Sequence, residues 1–247
     1  MRVAVIGVGH VGLVTAACLA RWGHDVCGMD DDSERVAVLQ EGGIPFHEPG
    51  LAELVAQGLS AGRLVFTSEI REALVDAQVA FVCVGTPSLP GGAPNLAYVE
   101  RVGQVAAVHA HHDLVLVEKS TVPANTGLRL TYVIEREQAR AGNGARIEIA
   151  SNPEFLREGQ AVADTLRPDR VVVGTSSEQA RSALREVYAP LLAEHPCPYI
   201  ETDLVTAELI KHASNAFLAT RISFINAVGR LCEIVGADVR AVAEGMG

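Results

Sequence analysis

The segment Val3-Ala-Val-Ile-Gly7-Val-Gly9-His-Val-Gly12 constrains the fold of this chain more than any other. An apolar run of strand length leads into a G-x-G-x-x-G turn and then a helical pattern. In such a turn Gly7 makes the tight bend, Gly9 lets the backbone approach a pyrophosphate, and Gly12 lets helix and strand pack closely. The helix behind it, from His10 and Val11 onward, offers free N–H groups and a positive dipole end to phosphates. Glycines at this spacing also occur in turns that hold nothing. Here, however, Asp30 ends the next apolar run, near the ~20-residue spacing of the carboxylate that holds an adenosine ribose. The expectation is a dinucleotide site.

Short apolar runs then alternate with helix-length segments. Strands are expected at Val3–Ile6, Asp25–Met29, Leu64–Thr67, Val79–Val84, Leu114–Glu118, Arg146–Ala150 and Val171–Val173. Helices are expected at Gly12–Trp22, Tyr98–Ala110 and Ser177–Leu192. This alternation predicts an α/β fold, a Rossmann-type doubly wound parallel sheet with helices on both faces. Pro196 and Pro198 mark a break, placing the first domain at 1–200. From Asp203 to Val228 there is neither glycine nor proline, and Leu209, Ala213, Phe217, Leu218, Ile222 and Ile225 recur at helical spacing. A helix this long is expected to bridge domains or join subunits as a homodimer. Residues 201–247 read as this central helix and the start of a second domain.

A formal charge of −10 argues against nucleic acid. No apolar run reaches membrane-spanning length and no signal peptide is evident, so a cytoplasmic setting is expected. Cys18, Cys27, Cys83, Cys197 and Cys232 show no zinc or disulfide spacing and read as small buried hydrophobes, with no metal site.

Asp30, Asp31 and Asp32 together would repel a ribose 2′-phosphate, which favours NAD over NADP. Arg35 is a counterweight, because an arginine there can accommodate that phosphate, but it can equally pair with its acidic neighbours. Asp31 and Asp32 read as a solvated turn and a helix cap.

Polar residues also gather where strands should end. Val82-Cys-Val-Gly85-Thr86-Pro87 and Glu118-Lys-Ser-Thr121-Val-Pro123 predict one crevice, although either alone fits an ordinary proline turn. In Ser151-Asn-Pro-Glu154-Phe-Leu-Arg-Glu158-Gly159, a helix starting at Pro153 would put Glu154 and Glu158 on one face. That acidity could serve chemistry or simply complement a helix dipole. Lys211 and Asn215, one turn apart on the long helix, could present donors to a developing oxyanion. The lysine could as well reach out to solvent.

Taken in order, GVGHVG, Asp30, FHEPGL (46–51), CVGTP, EKSTVP, SNPEFLREG, RPDRVVVG (167–174) and ELIKHASNAFLA (208–219) resemble the UDP-glucose/GDP-mannose dehydrogenase family over essentially the whole chain. The RPDRVVVG segment is more similar to the UDP-glucose branch. The resemblance implies NAD-dependent oxidation of a sugar's primary alcohol to a carboxylate through a cysteine-bound thiohemiacetal and thioester, and a role in polysaccharide biosynthesis. It implies that Thr121 and Glu154 activate the hydrolytic water and that Lys211 and Asn215 stabilise oxyanions. Glu154, Phe155, Leu156 and Arg157, with Lys211 and Asn215, would line the nucleotide-sugar site. Gly7, Gly9, His10, Val11, Gly12, Asp30, Arg35, Gly85, Thr86, Thr121 and Glu158 would touch the cofactor. His10 stands where the family's loop commonly has tyrosine.

The family's nucleophilic cysteine lies in a G-G-x-C-F-P-K-D segment, which these 247 residues do not contain. None of the five cysteines sits in a matching motif. The expectation is the N-terminal portion of such an enzyme, inactive alone. Two alternatives are a non-catalytic NAD-binding or dimerisation module, and a 3-hydroxyacid type of Rossmann dehydrogenase.

Overall fold

The computed structural model describes residues 1–247. Its elements in chain order are β1 (Arg2–Ile6), α1 (His10–Arg21), β2 (Asp25–Met29), α2 (Ser33–Gln40), α3 (Leu51–Ser60), β3 (Leu64–Thr67), α4 (Ile70–Leu74), β4 (Val79–Val82) and α5 (Ala97–His109). There follow β5 (Leu114–Glu118), α6 (Thr126–Ala141), β6 (Ile147–Ser151), α7 (Ala161–Leu166), β7 (Val171–Gly174), α8 (Glu178–Glu194), β8 (Tyr199–Thr202), α9 (Leu204–Val235) and α10 (Val239–Met246).

The strands form one sheet in the order β3-β2-β1-β4-β5-β6-β7-β8. It is parallel from β3 through β6, as expected, and its central strands β1, β4 and β5 are apolar and covered on both faces. Val3 and Val5 enter one core with Phe81, Val115 and Val117. Their alternates Ala4 and Ile6 enter the opposite core with Val82, Leu114 and Leu116. Strand order reverses between β1 and β4, and that switch point opens a crevice at the carboxyl ends of the strands.

Four expectations need correction. The sheet is not wholly parallel: β7 meets β6 antiparallel through Ser151 and Gly174, and β8 then pairs parallel to β7. The sequence around Pro198 reads as a break, yet Tyr199–Thr202 forms the edge strand β8. The long helix continues past Val228 through Gly229 to Val235, where Gly236 ends it at φ 75°. Strand β4 also stops at Val82, short of the expected Val84.

Only the first turns of α9 bury side chains on the domain, through Leu204, Ala207, Glu208 and Lys211. Beyond them Phe217 is 65% exposed and Ile222 53% exposed. Of the cysteines, Cys18 and Cys232 are buried, whereas Cys27, Cys83 and Cys197 are half-buried. No helix is long and apolar enough to cross a membrane.

Candidate active site

The glycine turn is built as its spacing requires. Gly7 has φ 90° and passes under the β4 end, where a Cβ would sit 2.9 Å from the Cys83 carbonyl oxygen. A Cβ on Gly12 would collide with the Gly7 carbonyl oxygen. Gly9 faces open space instead, and as the N-cap of α1 it makes no side-chain cap. The first amides of α1 are therefore available to an anion. A pyrophosphate fits this cradle.

Asp30 is 5% exposed at the end of β2. Its Oδ2 accepts from Val8 N at 2.9 Å and from Arg35 Nη1 at 2.9 Å, and its Oδ1 accepts from Asp32 N at 3.1 Å. A carboxylate has about four acceptor positions, so Oδ1 retains capacity for a hydroxyl. Arg35 pairs with Asp30 and Asp32, as its acidic neighbours suggested. Asp32 caps α2 by accepting from Glu34 N and Arg35 N.

His10 does more than lend its backbone. Its Nε2–H donates to Glu48 Oε2 at 3.0 Å, and its ring lies 4.9 Å from that of Phe46. The same Glu48 oxygen accepts from Gly159 N at 2.9 Å. One buried carboxylate thus ties the glycine turn to the 46–51 segment and to the loop after β6. Glu48 was visible only as part of a motif, because its partners are distant in sequence.

At the ends of β4 and β5, Thr86 Oγ1 donates to the Thr121 carbonyl at 2.9 Å. Ser120 Oγ reaches the Val84 carbonyl at 2.7 Å. Gly85 borders open space. The two polar segments form one strand-end surface beside the switch point.

The loop after β6 corrects the expected helix. Residues 152–157 are irregular, and no helix starts at Pro153. Side chains take the amides a helix would use: Leu156 N donates to Glu154 Oε2 at 2.6 Å, and Arg157 N to Asp164 Oδ2 at 2.9 Å. Glu154 and Glu158 therefore share no helical face, and Glu158 is exposed. Arg157 also grips Asp164 through its guanidinium.

Freed from a helix, Glu154 turns to α9, where Lys211 Nζ lies 2.8 Å from its Oε1. The lysine is buried and does not reach for solvent. Glu154, Phe155, Leu156, Arg157, Lys211 and Asn215 border one cavity of about 710 Å³, a volume that suits a small organic ligand. Thr121 and Glu158 do not line it. Arg170 stacks over the Phe155 ring at 4.0 Å and fixes that side of the loop.

The floor holds residues that pattern alone did not single out. Lys119, 8% exposed, donates to Asn152 Oδ1 at 3.0 Å. Tyr188 donates to the same oxygen, and Asn152 Nδ2 donates to the Val172 carbonyl at 2.8 Å. Burial lowers the Lys119 pKa. Burial also pushes the Cys18 and Cys83 thiols up to about 12, and Cys27 to about 11.

Residues 1–192 match the NAD binding domain of the UDP-glucose/GDP-mannose dehydrogenase family, and residues 205–247 match its central domain. A UDP-glucose 6-dehydrogenase from Pseudomonas aeruginosa is 44% identical over the whole chain, which covers 54% of that protein. The structure of a UDP-glucose dehydrogenase from Pyrobaculum islandicum superposes with a TM-score of 0.91 at 39% identity, over 99% of this chain and 56% of that one. A ternary complex of GDP-mannose dehydrogenase from Pseudomonas aeruginosa gives a TM-score of 0.92 at 34% identity, over 99% and 56%. The chain spans about half the length of the relatives it matches.

Proposed function

Because the chain belongs to the UDP-glucose/GDP-mannose dehydrogenase family, we propose that it forms the cofactor-binding and oxyanion-stabilising part of a UDP-glucose 6-dehydrogenase, which makes UDP-glucuronate in two hydride transfers. The observation that carries this reading is the Lys211–Glu154 pair at the wall of a ligand-sized cavity.

NAD, when bound, supplies the hydride acceptor for each oxidation. The open Gly9 face and the α1 amides would hold its pyrophosphate, and Asp30 Oδ1 a ribose hydroxyl. Gly85, Thr86, Thr121 and Glu158 would border the rest of it. Arg35 is already paired, which leaves it less free to recruit a 2′-phosphate. Lys211, with Asn215 one turn on, would face the oxygen of the reacting carbon, where a fixed cation in a dry site stabilises developing negative charge. Glu154 would accept a proton from water, and Thr121, outside the cavity wall, would help position that water from the cofactor side. The 154–157 loop would line the sugar nucleotide. Residues 1–200 would act as the NAD domain and 201–247 as the central helix and the start of a second domain. Exposed Phe217 and Ile222 on α9 support a homodimer. A cytoplasmic enzyme supplying sugar acids for polysaccharide biosynthesis completes the proposal.

Rapid-mixing kinetics tests the roles in a protein that continues this chain with the C-terminal half of the Pseudomonas aeruginosa relative. The expected result is two NAD reduced per UDP-glucose. Glu154→Gln should slow mainly thioester hydrolysis, and Lys211→Ala should also slow the oxidations. A Glu154→Gln protein that loses the first hydride transfer yet hydrolyses thioester fast contradicts these roles.

A further inference from the structure

Two carboxyls outside the cavity face each other at the root of α9. Glu118, at the end of β5, is 1% exposed, and Glu208, on α9, is 2% exposed. Glu208 accepts from Asn125 N at 2.6 Å through Oε2 and from Gly127 N at 2.7 Å through Oε1. It therefore caps the N-terminus of α6 from a helix far along the chain. No hydrogen-bond partner reaches either Glu118 oxygen, and the charge that bears on it is that of the Glu208 carboxyl. Both acids close on Gly127, where a Cβ would sit 3.0 Å from Glu118 Oε2 and 3.3 Å from Glu208 Oε1.

Two ionised carboxylates cannot share so dry a site. We propose that Glu118 and Glu208 share one proton, and that this pair docks α9 on the sheet and so positions Lys211 and Asn215 at the cavity. The proton belongs on Glu118, which has no backbone donor, while the two amides favour the anion on Glu208. Lys211 lies three residues beyond Glu208, on the next turn. Loss of the proton would set two buried negative charges against each other and loosen the root of the catalytic helix.

Of the neighbouring charges, His212 on α9 favours the anion on Glu208, with its ring turned to the Val122 carbonyl at 2.7 Å; none relieves Glu118. Lys119, beside Glu118 on the chain, is held by Asn152. From α6 come the two amides and the Thr126 hydroxyl, which is committed to Pro123 O. Burial first, and the Glu208 charge second, push the Glu118 carboxyl up to about 8. The folded chain therefore keeps a proton that the unfolded chain releases above its ordinary value near 4.5. The stabilisation is complete below that value and is lost as pH rises through 8.

The catalytic consequence rests on the proposed dehydrogenase reading, whereas the shared proton can be read in this chain without turnover. Infrared spectroscopy in D₂O at pH 7 should show a protonated carboxyl band that disappears as pH rises through 8. In denaturant unfolding, the wild-type unfolding constant should rise with pH up to about tenfold per unit more steeply than that of Glu118→Gln between pH 5 and 8. The variant, which supplies a permanent N–H to Glu208, should also retain amide protection over 204–211 above pH 8, where wild type loses it. Absence of the band at pH 7, parallel pH profiles, or α9 protection in wild type that does not change with pH would overturn the proposal.

Discussion

Lys211 Nζ and Glu154 Oε1 lie 2.8 Å apart, with side chains only 8% and 13% exposed. This ion pair joins α9 to the loop after β6, two segments that meet only in the folded chain. It replaces the Glu154–Glu158 pair legible in the sequence, while Lys211 and Asn215 stay one turn apart on α9 and border the same cavity. In the irregular loop Glu154 divides its oxygens, Oε2 accepting from the Leu156 amide and Oε1 facing Lys211.

Removing one partner of this pair should destabilise the chain by ~3–5 kcal/mol, because a buried charge is left alone. Lys211→Ala and Glu154→Ala should each show this in urea unfolding. The double variant should lose much less than the sum of the singles. Additive losses would mean that the two residues act independently.

The cysteines should be poor nucleophiles in the native chain. With thiol pKa values near 12 for Cys18 and Cys83 and near 11 for Cys27, thiolate forms only as pH rises through those values. Alkylation at pH 8 should therefore be slow for all three until denaturant is added. Cys232 is buried and lies roughly 30 Å along α9 from Lys211 at ~1.5 Å per residue, too far to serve the same cavity. Burial also pushes up the Cys197 thiol, which does not line the cavity, so the 247-residue chain alone should not oxidise UDP-glucose. Turnover, or fast native labelling of Cys83, would reopen the search for the nucleophile among these residues.

Much of the fold was legible because its physics is local. The central strands are continuous apolar runs, and the glycine turn encodes its own geometry. Edge strand β8 was missed because Tyr199–Thr202 is mostly half-buried or exposed and follows Pro198, so it carries neither an apolar run nor a clean alternation. Pro153 imitated a helix start, since proline suits a first helical turn, but Asp164 and Glu154 captured the amides. Contacts such as His10–Glu48, Lys119–Asn152 and Glu118–Glu208 connect residues far apart in the chain. Each partner alone looks like an ordinary polar residue, and only the sheet order brings them together.

The exposed apolar face of α9 should drive self-association, since Phe217, Leu218 and Ile222 would otherwise remain in water. Sedimentation at micromolar concentration should give a dimer, and Phe217→Asp with Ile222→Asp should give a monomer with an unchanged helical spectrum. A wild-type monomer would remove α9 as a subunit contact.

Cofactor choice tests the account most directly, because every role assigned to the crevice presumes NAD bound on the glycine turn with Asp30 at its ribose. Calorimetric titration of the 247-residue chain should show tighter binding of NAD than of NADP, and Asp30→Ala should weaken NAD by ~1–3 kcal/mol, the scale of hydrogen bonds to a charged group. Equal affinity for both cofactors, a preference for NADP, or NAD binding that is indifferent to Asp30 would contradict it.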